Sequence, residues 1–67
     1  MTPQETFNAM QSGYSVMITN KEYLKENDIV NNFFTISCIY SDGIITLVDD
    51  EYNIYSELSC EDVILFF

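Results

Sequence analysis

The fold of this chain is decided by residues 33–48, which read FFTISCIYSDGIITLV. Apolar and β-branched residues dominate both halves of this stretch, as is typical of strands. Between the halves stands Asp42-Gly43, the preferred pair for a tight two-residue turn in which both central residues need positive φ. The stretch therefore predicts a β-hairpin with strands over 33–40 and 44–48.

The alternation along the first strand assigns side chains to its two faces. The more apolar face is predicted to hold Phe34, Ile36, Cys38 and Tyr40. Cys38 is therefore expected to be a buried free thiol, and so is Cys60, which also has apolar neighbours. A disulfide between the two would require an oxidising compartment.

A helix is predicted at the N-terminus, over residues 3–12. Thr2 and Glu5 have the spacing of a capping box, and Pro3 suits the first helical position. Gly13 is the expected stop, since a residue with positive φ commonly ends a helix.

Four short elements are predicted between this helix and the hairpin. Residues 14–19 alternate as a strand, and Asn20 can cap a second helix from Lys21 to about Glu26. Ile29-Val30 is interpreted as the start of a short strand, and Asn31-Asn32 as a turn.

After the hairpin the chain is predicted to turn at Asp49-Asp50-Glu51. A third strand over 52–55, a single helical turn over 58–62 and a closing strand over 63–67 follow. Ser59 and Asp62 have capping-box spacing within the helical turn.

The element order predicts one α+β domain over residues 1–67, with the N-terminal helix packed on a small antiparallel sheet. From about residue 28 onward, the strand order and the penultimate helical turn resemble a small SH3-like barrel. That resemblance implies a closed sheet, and a sheet under the helix without closure fits the same order. The chain has no tryptophan, which the proline-peptide groove of that family needs, so no functional residue is transferred.

Charge is the most unusual property of the sequence. The sequence contains eleven acidic residues and two lysines, which gives a formal net charge of −9. Lys21 and Lys25 are the last cations, and nine acids follow them. Direct binding of nucleic acid or of an anionic membrane is therefore not expected, because both need clustered cations.

The sequence lacks the residues that several classes of function require. The chain has no histidine to act as a general base or to activate a thiol, so no enzyme is expected. Two thiols without histidine do not form a zinc site, and the acids lack the spacing of a calcium loop. No cofactor is expected. The apolar run at Val63–Phe67 is far shorter than the roughly 20 residues of a membrane span, and no secretory signal is visible, so a soluble, cytoplasmic protein is predicted.

The acidic balance favours a basic protein partner. On this hypothesis the carboxylates stand in for phosphates and occupy a nucleic-acid-binding surface. In size, acidity, aromatic content and lack of catalytic groups the chain resembles small phage-encoded anti-defence inhibitors. The predicted partner-binding residues are Asp42, Asp49, Asp50, Glu51, Glu57, Glu61, Asp62, Tyr55 and Phe67. The carboxylates among them are expected to be mostly exposed, because burying an unpaired carboxylate is costly.

A structural or adaptor module, or a homodimer, is the alternative, with acidity serving solubility only. Phe66-Phe67 bears on it, because one of the two side chains of a closing strand should point away from the core. An exposed phenylalanine there would suggest a dimer seam or a partner contact. Coverage of both by Phe7 and Met10 of the first helix is the competing interpretation.

Overall fold

The computed structural model describes residues 1–66, so Phe67 lies outside the described residues. In chain order its elements are α1 (Pro3–Ser12), β1 (Ser15–Ile18), α2 (Lys21–Glu26), β2 (Phe34–Ile39), β3 (Ile44–Val48), β4 (Ile54–Ser59), a 3-10 turn (Cys60–Asp62) and β5 (Val63–Leu65). The predicted α+β class, with an N-terminal helix beside a small antiparallel sheet, is confirmed.

The five strands form one antiparallel sheet in the order β4-β3-β2-β1-β5. β1 lies between β2 and β5, because Val16 pairs with Phe34 of β2 on one side and with Leu65 of β5 on the other. Within residues 1–66, β4 and β5 have one strand neighbour each and are therefore the two edges.

Local capping explains both helices. Thr2 Oγ1 accepts a hydrogen bond from Glu5 N–H at 3.1 Å, and Glu5 Oε1 accepts one from Thr2 N–H at 2.9 Å. Hydrogen bonding of the Glu5 carboxyl to Thr2, first to its backbone N–H and then to its side chain, holds the pKa of Glu5 below its ordinary value. Gly13 ends α1 with φ 70°, and Asn20 Oδ1 accepts from two N–H groups of α2. The predicted capping box and both predicted helix spans are confirmed.

Removing the first of these caps should have a modest, measurable effect. Thr2→Ala leaves Glu5 N–H without its acceptor, and we expect a loss of about 1 kcal/mol in the free energy of unfolding. Urea denaturation of the variant and the parent measures this loss. A loss below about 0.2 kcal/mol would mean that α1 does not depend on its cap.

The core lies between α1 and the sheet. Its largest fully buried side chains are Phe34, Ile45, Leu47, Leu58, Val16 and Val63. α1 contributes Thr6 and Ala9, whereas Phe7 is exposed and Met10 is half-buried. Because Phe66 is exposed as well, the expectation that Phe7 and Met10 cover both closing phenylalanines is wrong for Phe66.

The hairpin between β2 and β3 has a loop one residue longer than predicted. Gly43 N–H donates to Tyr40 O at 3.0 Å, and Tyr40 N–H donates to Ile44 O at 2.8 Å, which makes a three-residue loop of Ser41, Asp42 and Gly43. Only Gly43, at φ 87°, is left-handed in this loop. The arrangement is that of a type I turn followed by a left-handed glycine. Ile44 N–H also donates to Asp42 Oδ1 at 3.1 Å, a bond within the loop.

Two β-bulges flank Thr46 and change which side chains face the core. Ile36 pairs with Leu47 but Cys38 pairs with Thr46, so β2 accommodates an extra residue beside Thr46. The prediction that Cys38 is buried is therefore wrong, since the bulge turns it outward, whereas Cys60 is buried as predicted. β4 has its own irregularity opposite the same threonine, where Glu57 is left-handed at φ 62°.

Three predicted strands shift or disappear. Ile29-Val30 forms no strand, because Ile29 N–H donates to Leu24 O and completes the end of α2. β4 begins at Ile54 rather than at Tyr52, which lies in the preceding turn with φ 65°. The helical turn begins at Cys60 instead of at residue 58, with Ser59 as its N-cap. The last strand spans Val63–Leu65.

Candidate acidic interaction surface

The predicted acidic residues divide by exposure. The exposed members are Asp42, Asp50, Glu51, Glu57 and Glu61. Asp62 is half-buried, and its Oδ2 accepts a hydrogen bond from Asn20 Nδ2 at 3.2 Å. Asp49 is only 7% exposed, so its expected exposure is wrong.

Asp49 is buried because five donors satisfy its carboxylate. Oδ1 accepts from the backbone N–H groups of Glu51 and Asn53, both at 2.9 Å. Oδ2 accepts from Asn31 Nδ2 at 2.8 Å, from Asn53 Nδ2 at 3.0 Å and from the Tyr55 hydroxyl at 3.1 Å. The carboxylate therefore joins the β3–β4 turn to the segment that precedes β2, and it serves the fold rather than a partner.

These hydrogen bonds also shift the pKa values of the Asp49 carboxyl and the Tyr55 hydroxyl. Burial would raise the pKa of the Asp49 carboxyl, but the hydrogen bonds from Asn53, Glu51 and Tyr55 outweigh burial and lower it. Burial raises the pKa of the Tyr55 hydroxyl, and its bond to Asp49 raises it further. Tyr55 is half-buried, with its ring edge-on to Phe34 at 5.6 Å between centroids. Its ring and hydroxyl are thus both engaged internally.

A first group of carboxylates lies at the hairpin end of the sheet. Glu5, Asp42 and Glu61 line one open cleft of about 710 Å³, which we call the acidic cleft. The Met1 ammonium also lines it and donates to Cys60 O at 2.9 Å and to Val63 O at 3.0 Å. The residues that line the cleft thus carry three carboxylates and one ammonium, which is already hydrogen-bonded to two carbonyls. Glu5 was not among the predicted site residues, because its capping spacing explained it fully.

A second group lies beside α2. Glu26 and Glu57 line a cleft of about 450 Å³ together with Tyr23, Ile54 and Tyr55, which we call the tyrosine cleft. The Tyr23 hydroxyl donates to Ser56 O at 2.6 Å and ties α2 to β4. Burial, and then the charge of Glu57, raise the pKa of this hydroxyl. Only Glu57 and Tyr55 of this group were predicted, because the pairing of α2 with β4 has no local signal.

Exposed aromatic side chains form a separate feature. Phe33 and Phe66 are both exposed, and their ring centroids lie 5.5 Å apart. The predicted contact residue Phe67 lies outside the described residues. Within residues 1–66, no group of three side chains is arranged to hold a metal ion.

The comparisons with known proteins add no constraint. No family model, no curated protein and no solved structure matches this chain. In the part of the chain that the structure describes, neither helix has the length and apolar character needed to cross a bilayer.

Proposed function

We propose that this chain is a non-catalytic protein-binding domain that occupies a basic, nucleic-acid-binding surface of a partner with its own carboxylates. One observation carries the proposal: exposed carboxylates occupy both ends of β3. Asp42 of the acidic cleft lies in the turn before this strand, and Asp50 and Glu51 lie in the turn after it. A five-residue strand is about 17 Å long, so the two ends can contact separate basic patches.

The distribution of cations supports a basic partner. Both lysines lie on α2, which leaves the two turns of β3 without a neighbouring cation in sequence. Carboxylates accept bidentate hydrogen bonds from arginine much as phosphates do. Opposite net charges also accelerate association, and salt weakens that steering.

The proposal extends to the class of protein and to its compartment. Small phage-encoded inhibitors of host defence share this combination of acidity, small size and aromatic content, and we place this chain among them as a hypothesis. Cys38 and Cys60 are both free, as suits a reducing cytoplasm.

A charge-removal variant tests the acidic surface. Asp50→Asn combined with Glu51→Gln removes two exposed charges and leaves Asp49 intact. We expect about a tenfold loss of affinity for a basic partner captured from lysate, mainly through a slower on-rate, together with weaker binding as salt rises. Surface plasmon resonance on the purified partner, with and without competing nucleic acid, measures both.

The matched control is Glu22→Lys, which changes the net charge by the same amount on the helix that carries both lysines. It should leave affinity within about twofold, because Glu22 is exposed on α2 and belongs to neither turn of β3, so its charge acts only through screened long-range forces. Equal losses from the control and from the charge-removal variant would reduce the effect to net charge and contradict a defined acidic face.

The second candidate function is a structural or adaptor module that forms a homodimer. The exposed Phe33–Phe66 pair favours it, because adjacent exposed aromatic rings often lie at protein contacts. Sedimentation equilibrium tests it directly. A dimer that dissociates on Phe66→Ser would support this function.

A further inference from the structure

The edge strand β5 has unpaired backbone groups. Phe66 N–H donates to Ser15 O at 3.0 Å, and Thr19 N–H donates to Asp62 O at 2.8 Å. Bonds in an antiparallel ladder involve every second residue, so residues 62, 64 and 66 face β1 and Leu65 faces the opposite way. The N–H and C=O of Leu65 therefore point outward and have no partner within residues 1–66.

Some other outward groups at the two sheet edges are covered. The Val63 carbonyl also points outward, and it accepts from the Met1 ammonium. On the far side of the sheet, β4 carries its bulge at Glu57, and the Tyr23 hydroxyl satisfies the Ser56 carbonyl. Bulges and coverage of this kind prevent strand addition. Leu65 is therefore the position of β5 at which both outward backbone groups remain open.

The outward side of β5 opens into an apolar groove. One wall consists of the α1 residues Glu5, Asn8, Ala9 and Ser12, whose spacing puts them on one helical face. The other wall is Ile64 and Leu65, and Tyr14 also lines the space. This β5 groove has a volume of about 520 Å³. A second hollow lined by Tyr14, Leu65 and Phe66 adjoins it and extends the apolar surface.

The β5 groove joins the acidic cleft. Met1 and Glu5 line both spaces, so an apolar channel beside an open strand edge leads directly to Asp42 and Glu61. An occupant that complements both parts is apolar in the groove and cationic in the cleft.

We propose that an extended segment of a protein partner, apolar along its length and basic at one end, adds to β5 as a further strand. Its backbone pairs with Leu65 N–H and C=O, its side chains contact the exposed groove residues Ser12 and Ile64, and its lysine or arginine residues reach Glu5, Asp42 and Glu61. Added strands use backbone bonds for affinity and side-chain pockets for specificity. The sign of the charge rests on the proposed function, whereas the strand pairing does not.

Other occupants fit less well. A small apolar molecule would cover the groove but leave Leu65 N–H and C=O without hydrogen bonds, which is costly once they are shielded from water. A second copy of this chain would bring another net charge of −9 against the acidic cleft, and like charges at an interface oppose association.

A synthetic peptide tests the pairing. The probe is acetyl-Lys-Lys-Val-Thr-Val-Thr-Val-amide, and the control peptide has proline in place of the central valine, with identical charge. NMR titration should shift the amide signals of Ile64, Leu65 and Phe66 with the probe. The Leu65 amide should exchange with solvent at least about tenfold more slowly when the probe is bound. Equal binding of the proline peptide would reduce the interaction to charge and overturn the inference.

Two tryptophan variants test whether the probe binds in the β5 groove. Ser12 is exposed and lines the groove, so Ser12→Trp should fill it and weaken probe binding about tenfold or more. Gln11 is exposed beside it but does not line the groove, so Gln11→Trp should leave binding unchanged. Thermal melts establish that both variants fold. Equal affinity of the two variants, or a probe-independent dimer in sedimentation, would overturn the inference.

Each of the two proposals can be contradicted by experiment without contradicting the other. The Asp50→Asn, Glu51→Gln variant should bind the probe normally, because its changes lie at the other end of β3. If it loses the basic partner while Ser12→Trp retains that partner, the acidic surface stands and the β5 groove does not contribute. If the probe binds as described but no basic partner is found, strand addition stands alone.

Discussion

Asp49→Ala should lower the midpoint of thermal unfolding by on the order of 10–20 °C. The substitution removes the acceptor of five hydrogen bonds, and it leaves the amides of Asn31 and Asn53 and the Tyr55 hydroxyl without a partner. A donor that loses its acceptor away from water costs more than the net worth of a typical hydrogen bond, and Asn31 and Tyr55 are both half-buried. Differential scanning calorimetry measures the shift.

The neighbouring residue supplies the control for this prediction. Asp50 belongs to the same turn and is exposed, so Asp50→Ala should shift the midpoint by only a few degrees. Asp49→Asn should fall between the two, because an amide keeps one acceptor oxygen but presents a donor to other donors. Similar midpoints for Asp49→Ala and Asp50→Ala would contradict the structural role of Asp49.

The same carboxylate predicts an acid dependence. The pKa of Asp49 is lower in the folded chain than its ordinary value of about 3.9. Such a group contributes stability that is fully present above the unfolded pKa and is lost as pH falls through the folded pKa. Unfolding free energies measured from pH 6 down to pH 2 should therefore fall more steeply below about pH 4 in the parent than in Asp49→Asn.

Gly43→Val should cost about 2 kcal/mol or more, which is a large part of the stability of so small a domain. Gly43 has φ 87°, a conformation that a β-branched residue resists. Space is not the obstacle, since an added Cβ would lie 3.6 Å from Cys60 Sγ, which is ordinary contact. Gly43→Asn should cost much less, because asparagine tolerates left-handed backbone. Urea denaturation distinguishes the two, and equal costs would show that backbone strain is not the cause.

The elements with local signals were predictable from sequence. Both helices have the predicted spans, because caps at Thr2 and Asn20 involve only residues within one turn. The strands beside Asp42-Gly43 were also found, since turn chemistry and alternation are local properties. The length of the loop was not, because a two-residue and a three-residue loop share the same Asp-Gly signal.

Bulges account for most of the misplaced side chains. A single extra residue reverses the alternation after it, so the faces assigned from Phe34 hold through Ile36 and fail at Cys38. No composition signal marks that extra residue. The later start of β4 has a separate backbone cause. Tyr52 lies in the preceding turn and adopts left-handed backbone, which tyrosine seldom favours.

The sequence predicted that exposed acidic residues at turns form the candidate site, but it did not predict which individual residues belong to it. Exposed acids at turns were expected and found, as at Asp42 and Asp50. Asp49 resembled its neighbours in sequence, and its role depends on Asn31, eighteen residues earlier. The apolar groove beside β5 depends on how α1 lies against a strand near the other end of the chain, which no periodicity encodes.

The outward-facing Cys38 has a practical consequence for handling the protein. With Cys60 buried, one thiol is accessible on the folded chain, so maleimide reagents should couple at a single position and permit dye labelling or oriented immobilisation. Labelling at Cys38 leaves both ends of the chain untagged, which matters because Met1 lines the acidic cleft and Phe66 lines the hollow beside the β5 groove. In air-oxidised buffer the same thiol can link two molecules covalently, so a reductant is essential whenever self-association is measured.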